Sequence, residues 1–566
     1  MSFQPRGTER STAVPDWQDR IRSRQSLIPS LPLHDAVAER ALRIFRRLRV
    51  PDLPGKPAYG DICEPWVFDL VRAIFGSYDP ETKRRALREF FLLIPKKNGK
   101  SSIAAAIIVV ACLMNERPEA ELLLIAPTIN IAKIAFKQAW GIIRADDELD
   151  KLFHVREHLR EIRFRPTEAV ISIKAADGDV ITGGKATYTL IDETHEFARK
   201  SRAEGIFVEL RGALASRPDG FLMQITTQSK EAPAGVFKAE LERARSVRDG
   251  KLDLPILPVL YELPPDMAKR WQEPETWAMV NPNLGRSVDP QFLADQLTAA
   301  REDGHKALAL LASQHFNVEV GVGLGGDWQA ARYWAQAARD LTLHDLIERS
   351  EVAVAGIDGG GLDDLFGLSV IGRDRTTKEW LAWFHGWAHP EVLEQRKEIA
   401  PRLQDFAAAG DLTILGDDAP TQDIEECADF IELVAQAGLL PEKNAVGVDA
   451  FGISAMVDEL IGRGITDEQI VAVGQGTRLS SAIWGIERKL KNGTFLHGGQ
   501  PMMDWCMGNA KTETKGSMVM ITKYTAGRAK IDPVIAGLNA FMLMSQNPVS
   551  EGSTSVITVP DNYEVA

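Results

Sequence analysis

The sequence predicts an α/β protein made of two successive sheet-and-helix units. Short, apolar, β-prone runs alternate with helix-like segments along residues 90–260. Several of these runs end in polar or charged residues, as strands of an open parallel sheet do where they meet a ligand. A glycine-rich stretch at residues 321–326 then interrupts the pattern, which restarts near residue 352.

The first element is a strand, a loop and a helix, with the sequence FFLLIPKKNGKSS at residues 90–102 followed by an apolar helix. Such a loop cradles polyphosphate with backbone N–H groups, while a lysine reaches the β/γ-phosphates and a hydroxyl binds Mg²⁺. Lys100 and Ser101 take these positions. Ile94 replaces the usual first glycine, so the motif is a variant. The alternative is a helix capped by Ser101 beside a lysine.

An acidic strand end complements this loop. The sequence TYTLIDETHEF at residues 187–197 predicts a buried strand that ends in Asp192 and Glu193. We expect Asp192 to hold Mg²⁺, directly or through water, and Glu193 to polarise the attacking water. The alternative is a carboxylate pair that caps the next helix.

A third strand is predicted at residues 220–225 and leads into Thr226, Thr227 and Gln228. Their hydroxyl and amide groups are suited to sense the γ-phosphate and to pass its loss to a neighbouring segment. An ordinary strand-to-loop transition is the alternative.

Two further features lie near the loop. The strand at residues 121–125 precedes a helix with Lys133 and Lys137, which either contact a nucleic-acid backbone or form a solvated face. Trp66 lies in a helix before the loop, where it either stacks on an adenine or packs in the core.

Composition limits the class of protein. The 566 residues suggest roughly two to four domains, and four cysteines without metal-ligand spacing indicate a reduced, cytosolic setting. The longest apolar stretch, residues 103–114, is too short to span a bilayer. The formal charge of −13 argues against coating DNA by bulk electrostatics, but it permits a local basic channel.

A second chemical centre follows the glycine-rich stretch. A strand at residues 352–357 leads to Asp358, and a glycine turn joins it to another at residues 368–371, which predicts a hairpin. Asp449 ends a further strand, and Asp532 lies near a helix start. Converging carboxylates could bind two cations, which stabilise the attacking and leaving oxygens in phosphodiester cleavage. The order resembles the RNase H fold, although each aspartate alone could cap a turn.

The expected bounds divide the chain into five parts. They are a flexible arm (1–35), a nucleotide-binding unit with a helical later part (36–317), a linker (318–350), a nuclease-like unit (351–548) and a tail (549–566).

The order of these signals resembles the large terminase subunit of tailed bacteriophages, a DNA-packaging motor. PKKNGKS is similar to the family's Walker A variant, TLIDE to its Walker B motif with the catalytic glutamate, and TTQ to its coupling motif. DWCMGN at residues 504–509, followed by KIDPVIAGLNA, resembles the family's nuclease end. The resemblance covers residues 64–540 and implies an ASCE-type P-loop ATPase joined to an RNase H-like nuclease.

The resemblance implies ATP and Mg²⁺ as cofactors, with Mn²⁺ possible at the nuclease site, and it assigns roles to individual residues. The implied catalytic residues are Glu193, Asp358, Asp449 and Asp532. The implied metal ligands are Ser101, Asp192, Asp358, Asp449 and Asp532. The implied ATP-binding residues are Lys96, Lys97, Asn98, Gly99, Lys100, Ser101, Ser102, Asp192 and Trp66, and the coupling residues are Thr226, Thr227 and Gln228.

This chain departs from the family at the phosphate loop. Lys96 and Lys97 stand where the family often has an arginine, and lysine lacks the planar, bidentate contact of a guanidinium. Arg211 and Arg217 are candidates for an arginine finger that reaches the next subunit, or they are solvated surface residues. Asp364 is either an accessory acid or a turn residue.

The implied function is ATP-driven translocation of double-stranded DNA into a procapsid and cutting of concatemeric DNA. The implied partners are double-stranded DNA, a small terminase subunit, a portal protein and further copies of the chain in a ring, in the bacterial host cytoplasm and without a membrane. Two alternatives remain open: a helicase-like translocase and nuclease outside packaging, and an inactive prophage-encoded scaffold that docks on a portal.

Overall fold

The computed structural model describes residues 11–175, 185–200, 203–320, 328–359, 364–416, 421–449, 454–523 and 530–550. The chain divides into two compact units, Met1–Val320 and Gly321–Ala566.

The first unit is built on an eight-stranded sheet with the order β10-β3-β9-β8-β4-β7-β6-β5. The strands from β10 to β7 run parallel, and β6 and β5 continue the sheet antiparallel. A separate two-stranded ribbon pairs β1 with β2. The strands are β1 (Tyr78–Asp79), β2 (Arg84–Arg85), β3 (Glu89–Leu93), β4 (Glu121–Ala126), β5 (Phe153–Arg156), β6 (Glu161–Phe164), β7 (Ala169–Ala175), β8 (Tyr188–Asp192), β9 (Phe221–Thr226) and β10 (Ile256–Leu260).

Helices cover this sheet and extend beyond it. They are α1 (Trp17–Ser23), α2 (Asp35–Arg47), α3 (Tyr59–Ile62), α4 (Pro65–Gly76), α5 (Lys100–Met114), α6 (Ile129–Arg144), α7 (Asp147–Leu152), α8 (Ala203–Ala215), α9 (Gly235–Arg248), α10 (Pro265–Ala268), α11 (Pro274–Val280), α12 (Pro290–Asp303) and α13 (His305–Phe316), with 3-10 helices at Glu157–Leu159 and Thr194–Arg199.

The central strands explain why the phosphate loop lies where it does. β8 and β9 are buried along their whole length, as is typical of parallel strands covered on both faces. α5 follows β3 directly and is buried almost all round, because its run of isoleucine, valine and alanine has no polar face. The carboxyl ends of β3, β8 and β9 therefore meet at one edge of the sheet.

The expectation of a flexible arm at residues 1–35 is wrong for residues 11–35. Residues 17–23 form α1, and the side chains of Val14, Trp17 and Ile21 are buried. The Arg248 guanidinium lies 3.8 Å from the centroid of the Trp17 ring. Most residues of this segment are polar, and only a few large apolar side chains are buried. The composition of the segment therefore does not reveal that it is packed. Residues 1–10 lie outside the described residues.

The second unit contains a seven-stranded mixed sheet with the order β14-β13-β12-β11-β15-β16, in which β17 also pairs with β13. β11, β12 and β13 form an antiparallel meander, and β14, β15, β16 and β17 join it in parallel. β18 and β19 form a separate hairpin. The strands are β11 (Ser350–Gly359), β12 (Leu365–Asp374), β13 (Trp380–Ala388), β14 (Leu412–Ile414), β15 (Val446–Asp449), β16 (Ile470–Val473), β17 (Phe495–His497), β18 (Ala510–Lys515) and β19 (Met518–Lys523).

The helices of the second unit pack on this sheet. They are α14 (Ala331–Ala337), α15 (Leu343–Arg349), α16 (Pro390–Gln395), α17 (Ala400–Ala408), α18 (Gln422–Gln436), α19 (Ser454–Gly462), α20 (Ser480–Lys491), α21 (Pro501–Asn509) and α22 (Asp532–Met544), with a 3-10 helix at Gly476–Leu479. The predicted hairpin of β11 and β12 is present, but its turn at residues 360–363 lies outside the described residues.

α22 lies directly against the meander. A Cβ on Gly356 would lie 2.1 Å from the carbonyl oxygen of Ala536, and one on Gly367 would lie 2.8 Å from Cα of Pro533. Glycine at these two positions lets the helix backbone approach the strands closely, and this brings Asp532 to the end of β11.

The expected linker at residues 318–350 is mostly part of the second unit. Trp328 and Trp334 are fully buried in that unit's core, and α14 and α15 lie within the segment. The indole N–H of Trp334 donates to Asp504 Oδ1 at 2.9 Å. Large aromatic anchors again contradict a linker assignment that rested on the glycines before them. Residues 321–327 and 551–566 lie outside the described residues.

The helices of the described residues include none long and apolar enough to cross a membrane. All four cysteines are free thiols, and Cys112, Cys427 and Cys506 are buried.

Candidate active sites

The phosphate loop has the backbone of an anion-binding turn. Gly99 adopts φ +77° immediately before α5, and Lys97 also has a positive φ, of +71°. Lys100 is the first residue of the helix, and its side chain is only 7% exposed. The free N–H groups of a helix N-terminus that follows such a turn are suited to a phosphate.

The structure brings the two predicted nucleotide motifs into contact. Lys100 Nζ lies 2.9 Å from Glu193 Oε1, and the Ser101 hydroxyl donates to Asp192 Oδ2 at 3.1 Å. Asp192 Oδ1 is buried and accepts no hydrogen bond. An orphaned carboxylate oxygen beside a serine hydroxyl is a suitable pair of oxygen ligands for Mg²⁺.

The two carboxylates of this site differ in their protonation behaviour. Burial and the neighbouring Glu193 raise the pKa of Asp192. Burial acts in the same direction on Glu193, but His195 and Lys100 outweigh it and hold the pKa of Glu193 below its usual range. Glu193 therefore stays ionised to lower pH than Asp192, and an ionised carboxylate suits a group that orients water.

His195 is a site residue that the sequence reasoning missed. Its Nδ1 lies 3.2 Å from Glu193 Oε2 and 3.1 Å from Thr226 Oγ1, and its backbone N–H donates to the same Thr226 oxygen at 3.0 Å. Its Nε2 lies 3.4 Å from Glu196. His195 thus joins Glu193, the glutamate after β8, to Thr226. We call residues Thr226, Thr227 and Gln228 the TTQ segment. The sequence signal that could have identified His195 is its position two residues after Glu193.

The TTQ segment is buried and bonded to helix α13. The side chains of Thr226, Thr227 and Gln228 are fully buried. Gln314 Nε2 donates to the Gln228 carbonyl at 2.8 Å, and Asn317 Oδ1 accepts from the Gln228 N–H at 3.1 Å. The segment therefore contacts Glu193 through His195 on one side and the end of α13 on the other.

The start of the phosphate loop joins the same helix. The N–H of Lys96 donates to the carbonyl of Gln314 at 2.8 Å. Gln314 consequently contacts the loop through its backbone and the TTQ segment through its side chain. Its distance along the chain from both motifs explains why sequence reasoning did not find it.

Asn98 is braced by a second segment rather than left open to a ligand. Its Nδ2 donates to Asn281 Oδ1 at 2.8 Å, and its Oδ1 accepts from the Asn283 N–H at 3.1 Å. Asn283 Oδ1 in turn accepts from the indole N–H of Trp66 at 2.9 Å. These bonds fix the loop before the nucleotide arrives.

Two of the predicted ATP contacts have other partners in this structure. Trp66 is 8% exposed and packs edge-on against Tyr261, so the core-packing alternative is favoured over adenine stacking. The hydroxyl of Ser102 lies 2.6 Å from that of Tyr59, so it points away from the loop into the unit. Direct ATP contacts from Lys96 and Lys97 remain predictions.

Arg211, a candidate for an arginine finger that reaches the next subunit, pairs with two carboxylates of its own unit, which favours a structural role. The finger assignment stays a prediction. The Arg211 guanidinium bonds Glu89 and Glu240 through several contacts, including 2.9 Å from Nη2 to Glu89 Oε2. Glu89 begins β3, whereas the phosphate loop follows the strand's other end. Arg211 is therefore a paired cation at the opposite edge of the sheet. Arg217 precedes β9 at that same edge and stays a prediction.

A cavity of about 540 Å³ in the first unit is a separate feature. It is lined by residues such as Tyr78, Tyr188 and Asp219, which lie at the amino-terminal edge of the sheet. The site chemistry is at the carboxyl-terminal edge, so this volume does not mark the nucleotide site.

In the second unit, the three predicted aspartates approach one edge of the mixed sheet. β11 pairs in parallel with β15 through Ala355 and Val446, and the same register continued along both strands brings Asp358 level with Asp449. Asp532 begins α22, and a Cβ on the neighbouring Gly359 would lie 3.4 Å from Asp532 Cβ.

The charges of these aspartates oppose one another. Burial raises the pKa of Asp358 to about 8, and the nearby Asp532 and Asp449 add to the shift. Burial and Asp364 raise the pKa of Asp532. Such shifts are expected where several carboxylates share a partly dry site.

Asp364 is paired with two lysines. Lys523 Nζ lies 2.6 Å from Asp364 Oδ2 and 3.5 Å from Asp532 Oδ1, and Lys530 Nζ lies 2.8 Å from Asp364 Oδ1. Burial raises the pKa of Asp364, but the two lysines outweigh it and leave the pKa at about 2. Asp364 is therefore an ion-pair partner in this arrangement rather than a free accessory acid.

The fit of the second site to divalent cations is mixed. Asp449 Oδ1 and Asp532 Oδ2 are buried and accept no hydrogen bond, and carboxylate oxygens suit Mg²⁺ and Mn²⁺. Yet across the described ranges no three His, Cys, Asp or Glu side chains stand at metal-binding spacing. The aspartates are neighbours whose carboxylates are not gathered, and Lys523 supplies the positive charge. Their assignment as metal ligands stays a prediction.

Fold and sites together define a class of protein: a P-loop nucleotidase followed by an RNase H-like unit. The family model "Terminase large subunit, ATPase domain" matches residues 65–242, and "Terminase large subunit, endonuclease domain" matches residues 259–547. The chain belongs to the terminase large subunit family. It is an ATPase and an endonuclease of the phage DNA-packaging machinery, and its family implies DNA binding and the use of a nucleotide and divalent metal.

Individual relatives are distant. Protein YmfN of Escherichia coli (strain K12) is 21% identical over 372 residues, which cover 62% of this chain and 76% of that protein. The HK97 bacteriophage large terminase is 19% identical with a TM-score of 0.43, covering 89% of this chain and 99% of that one. A large terminase from a thermophilic bacteriophage, in complex with ADP, is 11% identical with a TM-score of 0.30, covering 82% and 94%.

Proposed function

We propose that this chain hydrolyses ATP to move double-stranded DNA into a procapsid and cuts concatemeric DNA at its second site. The observation that carries the proposal is the contact of Lys100 and Ser101 with Glu193 and Asp192 across the edge of the sheet. A lysine and a hydroxyl beside two acids on a neighbouring strand form the parts of a phosphoryl-transfer site.

Without nucleotide, Lys100 is the ion-pair partner of Glu193. The triphosphate of ATP is a stronger anion than one carboxylate, so it takes the Lys100 ammonium when it binds. Glu193 then loses this partner and becomes free to orient a water molecule. Ser101 and Asp192 would hold Mg²⁺, which neutralises charge on the phosphates.

Hydrolysis then alters the contacts at Thr226, Thr227 and Gln228. His195 carries a change at Glu193 to Thr226, and Gln314 joins Gln228 to the loop. These bonds support the proposed coupling role of the TTQ segment. Lys133 and Lys137 on α6 are unpaired within the described part of the chain, which suits contact with the DNA backbone.

In the second unit, Asp358, Asp449 and Asp532 would hold two divalent cations, Mg²⁺ or Mn²⁺, which supply Lewis-acid chemistry to phosphodiester cleavage. The aspartates must lose their protons to act as ligands, and Lys523 must leave Asp532. The raised pKa of Asp358 means that loading the site releases a proton near neutral pH.

The proposed partners are a small terminase subunit, a portal protein and further copies of this chain in a ring. A ring allows an acidic protein of net charge −13 to act on DNA, since only its channel must be basic. A helicase-like translocase outside packaging would share both centres, and an inactive scaffold would share neither activity.

Two variants test the two centres separately in the full chain. In Glu193→Gln, ATP turnover should fall by at least about 100-fold, the range found for a lost general base, with plasmid cutting in Mn²⁺ retained. In Asp449→Asn, cutting should be lost and ATP turnover retained. ATP hydrolysis at the parent rate in Glu193→Gln would contradict the role of Glu193 in hydrolysis. Retained plasmid cutting in Asp449→Asn would contradict the role of Asp449 in the nuclease site. DNA-stimulated ATP hydrolysis by the parent excludes the inactive scaffold.

A further inference from the structure

Helix α20 presents a basic, aromatic face that the nuclease chemistry does not use. Trp484 is 50% exposed, and Arg488 and Lys491 are exposed on the same side of the helix. Their spacing of four and then three residues places them in one stripe. We call Trp484, Arg488 and Lys491 the α20 stripe.

The direction of the stripe is fixed by packing behind it. The opposite face, which includes Ile483 and Ile486, is buried in the core of the second unit. A Cβ on Gly485 would lie 2.5 Å from Cε1 of Phe541, so the helix lies tightly against α22. The Ser480 hydroxyl also bonds the backbone of Val519 in β19.

The stripe lacks acidic neighbours. The one acid within α20, Glu487, accepts from the indole N–H of Trp328 at 2.7 Å. Five elements pack against α20, namely α14, α22, β17, β19 and the 3-10 helix Gly476–Leu479, and they contain one acidic residue between them, Asp532. In a chain with 79 acidic and 66 basic residues, such a surface is unlike the average.

Two cations of the stripe are without a partner in the described part of the chain. Neither Arg488 nor Lys491 forms an ion pair or a side-chain hydrogen bond among these residues, whereas the adjacent Lys489 lies 4.0 Å from the Trp380 ring centroid. The helix dipole favours cations in the last turn by about 0.3–1 kcal/mol, which accounts in part for Arg488 and Lys491. It does not account for the exposed indole of Trp484.

A short chain of hydrogen bonds connects the segment before this helix to the strand that carries Asp358. Asn539 Nδ2 donates to the carbonyl of Ile357, the residue before Asp358, at 2.9 Å. Asn539 Oδ1 accepts from Gln475 Nε2 at 3.1 Å. The exposed Arg478 follows in the 3-10 helix that leads into α20. The 3-10 helix therefore starts near the carboxylate edge, and α20 runs from there toward the other end of β13, where Lys489 contacts Trp380.

We propose that the α20 stripe binds the phosphate backbone of duplex DNA to one side of the scissile phosphate, along a helix that starts near the carboxylate edge and leads away from it. This inference rests on the proposed function, since it assigns a substrate contact to the same nuclease site. The twelve residues of α20 extend for about 18 Å, which matches roughly five phosphates of one strand. Arg488 and Lys491 neutralise phosphates, and the indole of Trp484 packs on the sugar face.

The test measures binding of the full chain to a fluorescent DNA duplex in EDTA over a series of salt concentrations. The variant Arg488→Gln/Lys491→Gln removes two stripe cations. The matched control Lys397→Gln/Lys443→Gln removes two exposed cations elsewhere on the same unit, and Lys443 has only the exposed Glu468 as a partner. ATP hydrolysis without DNA serves as a folding check for each protein.

The stripe variant should weaken binding and reduce the slope of log K against log salt by about 1.8, since each phosphate contact contributes about 0.9. The control should keep the parent's slope. Trp484→Ala should weaken binding without changing the slope, because the indole is uncharged.

A stripe variant with the parent's affinity and slope overturns the inference and assigns the surface to a protein partner. Equal losses in the stripe variant and the control also overturn it, since they indicate bulk charge. Neither result contradicts the proposed function, because that function is tested separately by the loss of plasmid cutting in Asp449→Asn.

Discussion

His195 shows how a single side chain connects chemistry to the rest of the ATPase unit. Burial lowers the pKa of His195, but Glu193 and Glu196 outweigh burial and raise it. The two glutamates therefore favour the imidazolium form of the ring that lies between them. It keeps Glu193 ionised and oriented while contacting Thr226.

Replacing His195 with glutamine should lower the kcat of ATP hydrolysis by about tenfold and leave KM within about twofold. The change removes the positive charge at Glu193 but touches no predicted phosphate contact. A tenfold change corresponds to about 1.4 kcal/mol. Steady-state kinetics measure it, with Lys151→Gln on α7 as control, because Lys151 is exposed and pairs with Glu148 of its own helix.

The pH profile adds an independent readout. Because the folded-state pKa of His195 is raised, its charge is complete below the usual value of about 6.5 and is lost as pH rises through the folded value. The parent should therefore lose activity on the alkaline side, and His195→Gln should lack this limb. A variant with the parent's kcat and the parent's alkaline limb would contradict the role.

The residues found from sequence share one property: each follows a recognisable strand. Lys100, Ser101, Asp192 and Glu193 were located by short motifs, and the structure confirms that they meet. The ion pairs of Arg211 were not predicted, because nothing local in the sequence reveals Glu89 and Glu240 as its partners. Polar contacts between distant segments carry no pattern in a single sequence.

At the scale of elements, apolar runs were reliable guides and composition was not. The predicted strands at β4, β8, β9, β11 and β15 are present because a long apolar run between polar ends has few other stable forms. α1 was missed because only Trp17 and Ile21 anchor a polar segment. The arrangement of carboxylates around Asp532 was likewise out of reach, since it depends on lysines from β19 and beyond.

Helix α13 connects the phosphate loop to the TTQ segment through Gln314. Replacing Gln314 with methionine keeps its size and its backbone bond to Lys96, but leaves the buried carbonyl of Gln228 without its donor. The first unit should lose about 1–3 kcal/mol of stability. Stimulation of ATP hydrolysis by DNA should fall toward one, with basal hydrolysis within about threefold of the parent.

Denaturant unfolding of the first unit and ATP hydrolysis with and without DNA measure the two effects. Gln291→Met on α12 is the matched control, because Gln291 is exposed and its side-chain amide donates to its helix neighbour Asp295. A Gln314→Met protein that is less stable but fully stimulated by DNA would restrict Gln314 to a structural role.

At the scale of the whole molecule, each unit contains a sheet, a hydrophobic core and one chemical centre. One core cluster surrounds α5 and β4, and separate clusters fill the second unit around the β11–β13 meander. The ATPase residues lie within Met1–Val320, and the three aspartates lie within Gly321–Ala566. No residue of either proposed site is taken from the other unit.

This separation predicts that the two activities survive division of the chain between residues 320 and 321. A fragment of residues 1–320 should hydrolyse ATP and leave plasmid intact, because Lys100, Glu193, His195 and Gln314 all lie within it. A fragment of residues 321–566 should cut plasmid in Mn²⁺ without ATP. DNA-stimulated hydrolysis should persist in the first fragment, because Lys133, Lys137, the TTQ segment and Gln314 all lie within it. Glu193→Gln and Asp449→Asn fragments are the respective controls.

Two outcomes would contradict this prediction. A fragment of residues 1–320 that is folded by circular dichroism but does not hydrolyse ATP would show that its site is incomplete. A folded fragment of residues 321–566 that does not cut plasmid would place an essential group in residues 1–320.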